Sequence, residues 1–148
     1  LYTLMDIKVI NTSGFPLPAT ASQWAAGLDV KAHLDKEVQL APFTTRLIPT
    51  GLYMEVPNGF VLNVTPRSGL ALKEGLTVFN SPGKVDADYR GEVGVILYNG
   101  SPILRTIVPG QRIAQISLQA VTPIDWVEVK ELELTARGAG GFGSTGKQ

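Results

Sequence analysis

The chain has 148 residues, of which 44% are hydrophobic and 18% charged. That is a globular balance for one domain, too apolar for intrinsic disorder and too short for two full cores. Thirteen Lys+Arg against thirteen Asp+Glu leave a formal net charge of zero, so no bulk field holds a nucleic-acid polymer or an anionic membrane, and an anionic ligand must be gripped locally. The absence of cysteine excludes disulfides, thiolate zinc sites and cysteine nucleophiles together. A single histidine, His33, excludes a multi-histidine metal site and reads as an ordinary surface or core residue. No apolar run approaches the roughly 20 residues of a membrane span, and no signal-peptide pattern is visible. A reducing cytoplasm is the expected compartment, with nuclear and organellar locations left open.

Short alternating apolar segments predict strands at residues 5–10, 28–32, 38–40, 47–56 and 60–64, then at 93–98, 103–108, 113–121 and 126–129. Turn residues divide them: Ser13-Gly14, Pro42, Pro57-Asn58-Gly59, Ser81-Pro82-Gly83, Asn99-Gly100-Ser101-Pro102 and Pro109-Gly110. One brief helix is predicted over 68–73, with Ser68 as its N-cap. Many short strands with regular turns predict an all-β, jelly-roll-like sandwich or barrel with one short helix. Residues 1–136 read as this β domain and 137–148 as a flexible Gly-rich C-terminal arm. Five glycines and one large apolar residue in those last twelve positions supply no strand to a core. Trp24 and Trp126 read as packing or interface residues.

Two motif matches in the arm fail on context. Gly138, Gly140 and Gly143 fit G-x-G-x-x-G, but no helix or downstream acid follows. Residues 141–147 fit most of a Walker A loop, yet Gln148 stands where Ser or Thr is needed. What survives is that closely spaced glycines expose N–H groups able to cradle an anion.

Five segments carry the chemistry: Ala26-Gly27-Leu28-Asp29; Pro66-Arg67-Ser68-Gly69-Leu70-Ala71; Asn80 through Glu92; Gly110-Gln111-Arg112-Ile113-Ala114-Gln115; and the arm. Taken singly, Asp29 and Asp86 read as turn carboxylates, Ser68 as a helix cap and Gln115 as surface polarity. Alternation alone places Gln115 on the same face as Ile113. In this order and spacing, however, the five segments closely resemble the motifs of the trimeric deoxyuridine triphosphate nucleotidohydrolases (dUTPases), from about residue 26 to 147.

The resemblance implies roles. Asp29 would hold Mg²⁺ through coordinated water, which suits an ion that dehydrates reluctantly and takes phosphate oxygens as ligands. Leu28 stands where Tyr is usual. Arg67, Ser68 and Gly69 would contact the phosphate chain, a guanidinium and a hydroxyl beside helical N–H groups. Asp86 would be the general base that orients and activates the attacking water. Because an ordinary carboxylate is a weak base near neutrality, alignment should matter at least as much as basicity. Tyr89 would lie under the deoxyribose and leave no room for a 2′-hydroxyl. Asn80, Gly83 and Val85 would border the uracil and sugar, and a site that hydrogen-bonds the base edge rejects mismatched bases strongly. Gln115 would bind a phosphate oxygen and Arg112 would be structural. Lys84 replaces a small residue, its role open, while Asp88 and Arg90 suit an ion pair or an intersubunit contact. In the arm, Arg137, Ser144 and Thr145 would reach the γ-phosphate, Phe142 would stack on uracil, and Gly143 would allow close approach.

The implied activity is Mg²⁺-assisted hydrolysis of dUTP to dUMP and pyrophosphate, which keeps uracil out of DNA and supplies dUMP for thymidylate synthesis. The implied assembly is a homotrimer with shared active sites, engaging neither nucleic acid nor membrane. Two alternatives share the fold. A dCTP deaminase would carry a glutamate where Ile96 stands here, and a non-catalytic nucleotide-binding protein would bind without turnover.

Overall fold

The structure, a computed structural model, describes residues 5–141. Ten strands and one helix follow in chain order: β1 (Lys8–Asn11), β2 (Leu28–Lys31), β3 (Val38–Leu40), β4 (Thr45–Glu55), β5 (Phe60–Thr65), α1 (Ser68–Glu74), β6 (Leu76–Val78), β7 (Gly83–Val85), β8 (Glu92–Asn99), β9 (Arg105–Ile107) and β10 (Arg112–Ala120). They form two four-stranded antiparallel sheets, β1-β4-β8-β6 and β2-β10-β5-β7, with β3-β9 as a two-stranded sheet. This is the jelly-roll-like β architecture that the alternation predicts.

The core lies between the sheets. Along β8, Val93, Val95, Leu97 and Asn99 point inward and their neighbours outward, the period of two that one buried face demands. Val30, Ile48, Leu62, Ile107 and Ile113 meet them, all essentially sealed from water. Each such aliphatic contributes about 1.5–3 kcal/mol by its burial.

The one wholly buried side-chain amide among the described residues, Asn99, is fully satisfied. Its Nδ2 donates to the carbonyls of Leu40 (3.0 Å) and Ile103 (2.7 Å), and its Oδ1 accepts from Ser101 N (3.0 Å) and Oγ (2.7 Å). Asn99→Ala strands the buried Leu40 carbonyl, while the Ile103 carbonyl keeps the Ser101 hydroxyl, and should cost about 1–3 kcal/mol, read as an earlier urea midpoint. An unchanged midpoint would show that water replaces the amide without loss.

Two bulges set which side chains face which way. On β10, the two steps from Arg112 to Ala114 match a single step on β2, from Lys31 to Val30. The extra residue flips the alternation, so Ile113 and Ala114 are both buried and Gln115 turns to the opposite side. This corrects the expectation that Gln115 shares a face with Ile113. On β4, four steps from Pro49 to Tyr53 match two on β8, from Gly94 to Glu92. Two extra residues keep the parity, and Ile48, Thr50, Leu52 and Met54 all remain inside.

The helix also departs from expectation. Its N-cap is Arg67, at φ −88° and ψ 126°, with no side-chain cap bond, so Ser68 is the first helical residue rather than the cap. The helix ends at Gly75, whose φ of 69° lets its N–H reach back to the carbonyls of Ala71 and Leu70. Strands β6 and β7 have only three residues each, too short for alternation to mark. The predicted strand at 126–129 does not form: no residue of 121–141 belongs to a strand, although Trp126, Val127, Leu132 and Leu134 are exposed. No helix among the described residues is long and apolar enough to cross a membrane. An apolar cavity of about 160 Å³, lined by Ile7, Val9, Leu28, Met54, Leu62, Ile116 and their neighbours, offers no polar group to orient a ligand.

Candidate active site

Two groups of side chains gather the residues singled out from sequence. The first is built where β2 and β10 pair, with Asp29 directly opposite Gln115. The Asp29 side chain is 11% exposed and its carboxylate accepts three hydrogen bonds. Oδ1 takes Arg67 Nε at 3.0 Å and Gln115 Nε2 at 3.2 Å, and Oδ2 takes Arg112 Nη1 at 2.9 Å. Arg67 also donates from Nη1 to the Arg112 carbonyl at 3.3 Å. One largely desolvated anion thus holds two guanidiniums and an amide in place. The outward face of the two arginines stays open, with Arg67 25% and Arg112 52% exposed. Such a planar, forked cation pair is suited to phosphate oxygens.

Gly27 makes this packing possible. A Cβ there would stand 3.0 Å from Gln115 Cδ and 3.1 Å from its Oε1, so any larger residue would push the amide a few tenths of an ångström from where it lies across the strand. Arg112, expected to be structural, does hold Asp29. Its link was invisible in sequence because 83 positions separate the partners.

The second group surrounds a pocket of about 250 Å³. Asn80, Lys84, Val85, Asp86 and Tyr89 line it, with Glu92 at the edge and Leu47, Val93, Gly94 and Ile96 as the apolar wall. Residues 80–83 include a cis Ser81–Pro82 bond. Gly83 is buried, and a Cβ there would meet Asn80 Nδ2 at 3.2 Å, so its bareness lets that amide fold back over β7. Asp86 and Tyr89 close a turn, Tyr89 N–H donating to the Asp86 carbonyl at 3.2 Å. Among the described residues no group bonds the Asp86 carboxylate, which is exposed at the pocket and free to accept from water. Tyr89 is 45% exposed and its hydroxyl donates to the Glu92 carbonyl at 2.9 Å.

Lys84, left open by sequence, donates to Asn63 Oδ1 at 2.9 Å, and Asn63 Nδ2 donates to Gln119 Oε1 at 2.7 Å. It ties β7 to β5 and β10 across the sheet. Arg90 and Asp88 make no ion pair. Arg90 instead donates to the carbonyls of Ala87 (2.7 Å) and Tyr89 (3.0 Å), because the tight turn offers these acceptors within three residues. Ser68 and Gly69 stand at the start of α1, next to Arg67. Arg137 donates from Nε to the Gly140 carbonyl at 2.8 Å. Phe142, Gly143, Ser144 and Thr145 lie outside the described residues.

The two groups are not neighbours within one chain. Asp29 pairs with Gln115, and Gln115 with Thr65, whereas Asp86 follows Val85, the partner of Leu62. Four residues along the strands and three strand spacings across them separate the carboxylates by roughly 20 Å. That is farther than an α-phosphate lies from a metal bound to its own triphosphate.

Comparison with known proteins decides the family. The dUTPase family model matches residues 13–146. The chain belongs to the dUTPase family. A deoxyuridine 5′-triphosphate nucleotidohydrolase of Desulfotalea psychrophila is 53% identical over 136 residues, covering 92% of this chain and 91% of that protein. The corresponding protein of Cytophaga hutchinsonii is 48% identical over 142 residues, covering 96% and 92%. Among solved structures, a mutant dUTPase of Staphylococcus bacteriophage 80alpha with dUpNHpp superposes with a TM-score of 0.83 at 25% identity, covering 96% of this chain and 99% of that one. In this pocket Ile96 presents an apolar side chain.

No group of three or more His, Cys, Asp or Glu among the described residues could hold a metal. The donor set at Asp29 nevertheless fits an outer-sphere role. Oδ1 carries two donors and Oδ2 one, which leaves Oδ2 a lone pair for one metal-bound water.

Proposed function

We propose that the chain hydrolyses dUTP to dUMP and pyrophosphate, at sites that its two residue groups complete only between copies of a homotrimer. One observation carries the reading: Asp86, a carboxylate without a partner among the described residues, shares a pocket with Asn80 and Tyr89, while the cationic cluster of Asp29, Arg67 and Gln115 lies roughly 20 Å away on the same sheet. The exposed apolar residues of 121–134 support assembly too, since a run holding Trp126, Val127, Leu132 and Leu134 belongs against another surface. Seated on a neighbouring copy, that segment carries residues 137–148 to a site their own chain does not build. A chain without cysteine is indifferent to redox compartment, and the reducing cytoplasm stays the default in this reading.

In this mechanism Tyr89 lies beneath the sugar and leaves no room for a 2′-hydroxyl. Asn80, Gly83 and Val85 border the base and sugar, and the Asn80 amide reads the uracil edge. Asp86 accepts a proton from water as its oxygen bonds to the α-phosphorus. The bond from that phosphorus to the α,β-bridging oxygen breaks, and pyrophosphate departs with the electron pair. Arg67, Ser68, Gly69 and Gln115 of an adjacent copy hold the phosphate oxygens, the guanidinium countering charge that builds on the leaving group. Asp29 orients Arg67 and would hold Mg²⁺ through coordinated water; when bound, the ion would supply Lewis-acid neutralisation of the phosphates. Arg137, Phe142, Gly143, Ser144 and Thr145 close over the nucleotide and exclude bulk water.

Incubation with dUTP and Mg²⁺ should release pyrophosphate. Ammonia from dCTP would favour the deaminase instead, and binding without turnover the non-catalytic alternative. Sharing of sites has its own test. Asp86→Asn and Arg67→Ala should each be inactive alone, yet mixed trimers reassembled from equal amounts should regain activity in roughly a quarter of their sites, because each site draws the two residues from different copies. No recovery would place both groups on one chain. Gly27→Ala, which pushes the Gln115 amide away from Asp29, should raise KM for dUTP about tenfold with the assembly unchanged, and an unchanged KM would remove Gln115 from phosphate binding.

A further inference from the structure

Tyr89 is nearly half exposed, so few packing contacts hold its ring. Two features hold it instead. A Cβ on Gly91 would run into the Tyr89 hydroxyl and stand 2.5 Å from its Cζ and 3.0 Å from Cε2, so the tip of the ring is seated against backbone that has no side chain. At its far end, the hydroxyl donates to the Glu92 carbonyl at 2.9 Å.

That carbonyl is anchored in turn. Glu92 Oε1 accepts the Gly51 N–H at 2.7 Å, across the bulge where β4 carries two extra residues. Gly51 is held at φ +70°, and a Cβ on it would come within 2.7 Å of His33 Nδ1 and 2.8 Å of Ser13 Cβ. The next residue along β8, Val93, receives the Thr50 hydroxyl. The start of β8 is therefore pinned to β4 by one side chain from each strand, immediately beside Tyr89.

We infer that Gly91 and Glu92 are the positioning residues for Tyr89, and that through its ring they set the preference for a deoxyribose over a ribose nucleotide. The inference rests on the reading of Tyr89 as the platform under the sugar. Its physical basis is that an apolar wall rejects an added hydroxyl only weakly, by about 10², when the wall can yield. A ring free to retreat by an ångström admits the 2′-hydroxyl; a ring whose tip is seated against a bare glycine and bonded to a tethered carbonyl does not.

The full chain is assayed for kcat/KM with dUTP and with UTP, as wild type and as Glu92→Ala, Glu92→Gln and Gly91→Ala. Glu92→Ala frees the bulge and Gly91→Ala lifts the ring, and each should lower the dUTP:UTP ratio by about tenfold or more, chiefly through faster UTP hydrolysis. Glu92→Gln keeps an oxygen for the Gly51 N–H and should rescue the ratio. A merely structural role would depress both substrates together and leave the ratio unmoved. Should Glu92→Ala not fold, Gly91→Ala carries the test, since Gly91 is not held at positive φ and tolerates a Cβ in its backbone. A discriminating wild type with an unaltered ratio in the folded variants overturns the inference alone. A wild type that hydrolyses UTP as readily as dUTP overturns the reading of Tyr89 and the inference with it.

Discussion

Asp86→Asn is expected to bind dUTP about as tightly as the wild type and to hydrolyse it at least ~10²-fold more slowly. Asn has the shape of Asp and still accepts a hydrogen bond, so contacts to the nucleotide survive. What disappears is the negative charge that draws a proton from the attacking water. The expectation is strong here because nothing among the described residues competes for the Asp86 carboxylate: it is exposed at a pocket and carries neither ion pair nor hydrogen bond. Asp29 is the contrasting acid, with three donors and little exposure, and is occupied in holding arginines. Calorimetric binding with a non-hydrolysable dUTP analogue, beside single-turnover hydrolysis, separates the two quantities. Turnover at the wild-type rate would remove Asp86 as the base. Loss of binding with the residual rate per bound nucleotide unchanged would make it a substrate ligand only.

Removal of residues 137–148 should reduce kcat/KM for dUTP by about 10²–10³ and leave the assembly intact by sedimentation. The hydrogen bonds of the described part of this segment close on themselves: Gly138 N–H reaches the Thr135 carbonyl at 3.0 Å, Gly140 N–H the Arg137 carbonyl at 3.1 Å, and Arg137 Nε the Gly140 carbonyl. None of these holds a sheet, so in the described part of the segment their loss breaks no strand pairing. The apolar residues assigned to assembly lie upstream, at 121–134, and remain in the truncated chain. Dissociation on truncation would mean that the arm holds the copies together, and undiminished activity would deny it any part in the site.

Much of the site's chemistry was legible before folding. Asp86, Tyr89 and Asn80, taken from one stretch of sequence, do line one pocket. Asp29, Arg67 and Gln115, taken from three segments, do meet in one cluster. The residues that support them were harder to see. Gly27 and Gly91 act by having no side chain, and Glu92 acts through a bond to an amide 41 positions away. A string of letters records neither empty space nor distant partners.

Composition, alternation and turn residues determined an all-β domain, because these properties depend on residues within a few positions of one another, and the resemblance of five segments to the dUTPase motifs singled out the candidate reactive groups. Tertiary structure decided the rest. The single extra residue in β10 reverses the facing of Gln115, the N-cap of α1 falls at Arg67 instead of Ser68, and Arg90 finds carbonyls rather than Asp88. The separation of the two groups along one sheet is likewise a matter of strand register. Register, bulge parity and cross-strand partners follow from energies summed over the whole core, so no local pattern contains them.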